Sequence, residues 1–139
     1  MVTIKKHAIV LHSRAKLFEL VDLVEEYPNF LPWCGDTKVI ARTDKITRAT
    51  IQINYKGVKQ SFTTENVKIY PEQMLIKLID GPFKMLEGRW QFIEIEEDYT
   101  KIDFKHNAGF EYIDGGWVRI HPQTYIRICS TGQKLQMLQ

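Results

Sequence analysis

Cysteine is scarce in this sequence. The 139-residue chain has two, Cys34 and Cys129, far apart along the chain. Two distant cysteines make neither a disulfide framework nor a zinc pattern, which points to reduced thiols and a cytoplasmic chain. Long apolar runs are missing as well. Nothing approaches the ~20 residues that span a bilayer, and the N-terminal "MVTIKKHAIVLHS" lacks the apolar stretch of a secretory signal. Strong charge is absent: 19 basic against 17 acidic residues leave a net +2. That is too mild to argue for nucleic acid by itself, and no DNA partner is expected.

The sequence also lacks the usual carriers of catalysis. It has no phosphate-binding P-loop, no G-x-G-x-x-G and no G-x-S-x-G. The histidines His7, His12, His106 and His121 show no H-x-x-x-H spacing. They read as isolated strand or surface residues, and no metal site is expected. The carboxylates of "EIEEDY" (94–99) fall at a hairpin tip. A solvated turn explains them better than an acid–base pair. Cys34, flanked by Pro32 and Trp33, reads as a small buried hydrophobe rather than a nucleophile. No catalytic residue is assigned, and the chain is expected not to be an enzyme.

What is present is ordered. "TIKKHAIVL" (3–11) reads as a strand. Ser13 is placed to cap "RAKLFELVDLVEEY", where Leu17, Leu20, Val21 and Val24 share one helical face until Pro28 ends the pattern. Strands follow at "TKVIAR", "TRATIQINY", "VKQSFTTENVKIY" and "EQMLIKLI". Turns fall at Gly57 and at "DGP" (80–82). "GRWQFIEIEE" and "TKIDFKHNAGFEY" form a hairpin around "EDYT". One antiparallel sheet partly covered by one early helix makes the chain a single α+β domain over residues 1–139.

The turn "EEYPNFLPWCG" (25–35) is unusually greasy. Its aromatics, with Phe62, Phe83, Trp90 and Phe92, read either as plain core or as the lining of an apolar cavity.

Three blocks carry a family resemblance: "YPNFLPWC" (27–34), "FTTENV" (62–67) and "LIDGPFKMLEGRWQF" (78–92). Over residues 3–112 the chain resembles the coenzyme Q-binding START family. That family includes the bacterial ribosome association toxin RatA family and lies within the polyketide cyclase-like SRPBCC superfamily. The resemblance implies a helix-grip fold, in which a curved antiparallel sheet wraps a long C-terminal helix around an apolar cavity. It places Phe30, Leu31 and Trp33 at the cavity mouth, with Phe30 and Trp33 as a gate. Phe62, Phe83, Leu86, Trp90 and Phe92 line or support the sheet side. Glu87 and Arg89 read as surface charges or a structural ion pair.

The implied ligand is ubiquinone or a similar isoprenoid lipid, carried for respiration, with no other cofactor. The implied alternative partner is the large ribosomal subunit, with inhibition of subunit joining. A cyclase or aromatase activity is the weakest implication. Contact with the inner membrane would be peripheral.

After Tyr112 the chain departs from the family pattern. Residues 115–139 contain no acid, and their periodicity is poor. A single-base shift of reading frame near residues 105–118 would explain both features. The C-terminal helix is then truncated or altered. An uncovered concave face and reduced stability are expected, with Tyr125, Ile126, Ile128, Leu135 and Leu138 as a partial cover.

Overall fold

The computed structural model describes residues 2–29, 31–110 and 122–125. Strand β1 (Val2–Val10) leads into helix α1 (Arg14–Asp22), followed by a 3-10 helix (Val24–Asn29). Six strands follow: β2 (Cys34–Arg42), β3 (Ile46–Tyr55), β4 (Val58–Ile69), β5 (Gln73–Asp80), β6 (Met85–Glu96) and β7 (Tyr99–Gly109). They form one sheet in the order β1-β7-β6-β5-β4-β3-β2. Each neighbouring pair is antiparallel. From β2 to β7 the chain meanders through hairpins. Only the link from β1 to β2, made by the helices, crosses from one edge to the other. Register irregularities in β2, at the start of the β4–β5 pairing and at the end of the β6–β7 pairing bend the sheet.

The local chemistry explains the turns. Tyr55 pairs with Val58, and Lys56 and Gly57 between them both have positive φ. That is the two-residue primed turn whose twist matches a hairpin. The β6–β7 turn closes through Asp98, also at positive φ.

Side chains alternate in and out. On the concave face Ala49, Ile51 and Ile53 lie beside Phe62 and Thr64, and Trp90 and Phe92 lie beside Phe104 and Ile102. One core cluster joins the α1 residues Leu17, Phe18 and Val21 to Met74, Trp90, Phe92, Ile102 and Phe104. A second gathers the greasy turn onto β3 and β4, with Tyr27, Leu31, Trp33, Cys34, Ile51, Ile53 and Phe62. The turn is therefore folded into the core.

Ser13 caps α1 as expected, accepting from the Lys16 amide at 3.3 Å. The helix is shorter than its sequence pattern. It leaves helical geometry at Leu23 and rewinds as a 3-10 turn that contains Pro28. In the 3-10 turn Val24 and Tyr27, three residues apart, lie on one face and are both buried. Arg42 stabilises the break. Its Nη2 donates to the freed Asp22 carbonyl at 2.7 Å, and its guanidinium forks onto Glu25.

Strand β7 pairs regularly with β6 through Gly109. Residues 122–125 form a helical turn. The expected cover from Ile126, Ile128, Leu135 and Leu138, and the frame-shift reading of the tail beyond residue 110, lie outside the described residues. The concave face is not uncovered, contrary to expectation. Ile51, Phe62, Leu86, Trp90 and Phe104 are all 8% exposed or less. Part of their cover is Tyr125, itself buried.

Candidate functional site

Between the two core clusters the concave face holds a cavity, with about 60 Å³ open to the centre of a water molecule. Val21, Val24 and Tyr27 close it from the helical side. Trp33 from the greasy turn closes a second side. The sheet supplies Ile51 and Ile53 from β3, Phe62, Thr64 and Asn66 from β4, Met74 and Ile76 from β5, Leu86, Gly88 and Trp90 from β6, and Phe104 and His106 from β7. Tyr125 completes the lining.

The lining is apolar with a few polar groups. The Thr64 hydroxyl donates to Asn66 Oδ1 at 3.2 Å. The Tyr125 hydroxyl and His106 Nε2 lie 2.8 Å apart, both buried. Tyr125 also meets Phe83 and Phe110 edge to face, at 5.2 and 5.7 Å between ring centres. This aromatic cluster fastens residues 122–125 to the sheet. Tyr27 donates its hydroxyl to the Val21 carbonyl. Burial pushes the Tyr27 phenol well above its ordinary value, and the negative charges of Asp22 and neighbouring groups add to the effect.

Among the described residues, the indole nitrogen of Trp90 on this wall has no partner. Trp90 is 0% exposed, and its indole N–H is buried without an acceptor. Its ring stacks parallel to Phe92 at 6.0 Å and tilts against Phe104 at 4.4 Å. Leaving such a donor unmet costs about 1–3 kcal/mol.

Gly88 keeps part of the space open. It sits opposite His106, and a Cβ there would come within 2.9 Å of the His106 Cβ.

Of the residues assigned to the cavity from sequence, Trp33, Phe62, Leu86 and Trp90 line it. Leu31, Phe83 and Phe92 are buried but do not line it. Leu31, within the turn, packs into the core with Tyr27 and Trp33, Phe83 meets Phe62 edge to face, and Phe92 lies beneath α1 against Phe18. Phe30 lies outside the described residues. Trp33 is a buried wall residue, 6% exposed. Glu87 and Arg89 are exposed, and Glu87 also borders the cavity.

Sequence reasoning missed Ile51, Ile53, Thr64, Asn66, Met74 and Gly88. It also treated His106 as an isolated strand or surface residue, whereas it is buried and bonded to Tyr125. The alternation of β3 and β7 marked their inward faces. Nothing local marked which inward residues would face a gap. Among the described residues no group of three or more His, Cys, Asp or Glu comes together as a metal set. Cys34 is buried, with its thiol directed at the Asp36 carbonyl at 3.9 Å.

Comparison with known proteins places this geometry. The family model for polyketide cyclase/dehydrase and lipid transport proteins matches residues 10–117. The chain belongs to that family. It is 33% identical over 112 residues to the ribosome association toxin RatA of Escherichia coli K12, covering 81% of this chain and 70% of that one. It is 30% identical over 96 residues to the mitochondrial coenzyme Q-binding protein COQ10 homolog B of Xenopus laevis, covering 66% of this chain and 39% of that one. The Zhui aromatase/cyclase from Streptomyces sp. R1128 shares the fold with a TM-score of 0.78 at 11% identity, over 98% of this chain and 85% of that one. The curved sheet and its concave cavity are those of the START-like helix-grip fold. Among the described residues no helix is long and apolar enough to cross a membrane.

Proposed function

We propose that the concave cavity binds a small apolar lipid of the isoprenoid quinone type and that the chain acts as a carrier or chaperone without catalysis of its own. The observation that carries this reading is a buried, mostly apolar cavity on the concave face with a few polar groups in its wall. Such a lining orients an apolar ligand by a small number of polar contacts. The coenzyme Q-binding relative supports the ligand class. A cavity of about 60 Å³ holds roughly four waters at most. A quinone ring therefore enters only as the walls part. The ligand would be collected at, and delivered to, a membrane surface.

A second reading is favoured by the ribosome association toxin RatA of Escherichia coli K12, which matches more of this chain at higher identity than the coenzyme Q-binding relative. Here the protein binds the large ribosomal subunit and blocks subunit joining. Solvent extraction and mass spectrometry of the purified protein, beside co-sedimentation with ribosomal subunits, separates the two. Bound quinone without co-sedimentation supports the carrier. Co-sedimentation with no extractable lipid sinks it.

A further inference from the structure

The Trp90 indole offers a donor that nothing among the described residues uses. It is fully buried, lines the cavity and has no acceptor. An indole N–H can only donate. The rings against it, Phe92 and Phe104, cannot accept a conventional hydrogen bond. On the wall Thr64 is engaged with Asn66, His106 with Tyr125, and Tyr27 with the Val21 carbonyl. Buried polar groups in folded proteins are nearly always paired, so an unpaired donor on a cavity wall signals an absent acceptor. Packing alone would be served by a phenylalanine at this position, with no donor to satisfy.

We infer that the cavity ligand sets a carbonyl oxygen against Trp90 Nε1, so that the site selects carbonyl-bearing lipids over pure hydrocarbons. This rests on the reading of the cavity as a ligand site and narrows it. A site with a committed donor discriminates strongly, because a ligand without the acceptor leaves the donor unmet. In the closed cavity the indole nitrogen is shielded even from water, so a ligand carbonyl reaches it only as the walls part, and a water molecule admitted by the same opening is the competing occupant.

The test uses the full chain and two probes with the same tail: a decyl-substituted 1,4-benzoquinone, and decylbenzene, which lacks the carbonyls. Calorimetric titration of the wild type is expected to show tighter binding of the quinone. Trp90→Phe is expected to weaken the quinone about tenfold more than it changes the binding of decylbenzene. In 15N-labelled wild type the Trp90 indole proton, assigned by its contacts with Phe92 and Phe104, is expected to move downfield as quinone is added. That readout needs no variant and so survives any folding defect of Trp90→Phe. Equal quinone affinity in both proteins, or an indole resonance that ignores the quinone because a resident water holds it, overturns the inference and leaves the cavity reading standing. Failure of the wild type to bind either probe overturns both.

Discussion

At the scale of single residues, the site depends on a side chain that is absent. Gly88 and His106 face each other across β6 and β7. A methyl group at 88 would press on the His106 Cβ and on the Lys105 carbonyl, 3.3 Å away. Neither is the free end of a flexible chain. Gly88→Ala is expected to cost about 1–3 kcal/mol through overpacking and to displace His106 from Tyr125. A chemical denaturation midpoint equal to that of the wild type would show that the strands yield more easily than this. Tyr27 gives a pH prediction. Its phenol is neutral in the fold, and its pKa is raised above the ordinary value of 10.0, chiefly by burial. The contribution is complete below pH 10 and declines above it, because the unfolded chain then loses a proton that the folded chain keeps. Stability should fall by about 1.4 kcal/mol per pH unit for this group above pH 10. Tyr27→Phe should flatten that part of the melting-temperature profile. An unchanged slope in the variant would refute the assignment.

At the scale of elements, the join between α1 and the sheet is held by charge. Asp22, at the helix end, accepts from the Thr47 hydroxyl at 2.7 Å and from Lys68 Nζ at 3.0 Å, with the Arg42 guanidinium 3.6 Å away. The Lys68 side chain is 7% exposed and that of Asp22 is 16% exposed. A pair this shielded is worth little in net terms, but removing one partner strands the other. Asp22→Ala is expected to destabilise by about 3 kcal/mol, and Asp22→Ala with Lys68→Met to recover most of it. The loss should persist at high salt, because shielded charges are poorly screened. A single variant as stable as the wild type would move the anchoring of α1 to its apolar face alone.

At the scale of the whole molecule, the sheet and the two core clusters leave a gap where they meet. A ligand that fills the gap binds the folded chain only. At a hundred times its dissociation constant it should add about 2.7 kcal/mol, a melting-temperature rise of roughly 10 °C for a chain of this size. Decyl-benzoquinone should produce that rise if the cavity opens to admit it, and an unmoved melting curve at saturating quinone would count against the carrier. Trp33 belongs to the same wall and to the core. Its truncation is therefore expected to lower stability as well as retention, because a buried wall residue cannot serve only as a gate.

The sequence by itself determined the elements and their order. Alternating residues such as Ile51 and Ile53, the Lys56-Gly57 and Asp98 turns, and the Ser13 cap act over a few residues, so local physics decides them. Blocks with a family resemblance also singled out Trp33, Phe62, Leu86 and Trp90, four residues that line the cavity. Only the tertiary structure decided which buried residues face a void. Leu31, Phe83 and Phe92 are as apolar as their neighbours but pack against chain. Thr64, Gly88 and His106 meet at the cavity through strand register and the bend of the sheet. That arrangement depends on pairings between strands distant in sequence, on the volume of facing side chains and on the one missing at Gly88. No local pattern in the sequence records it.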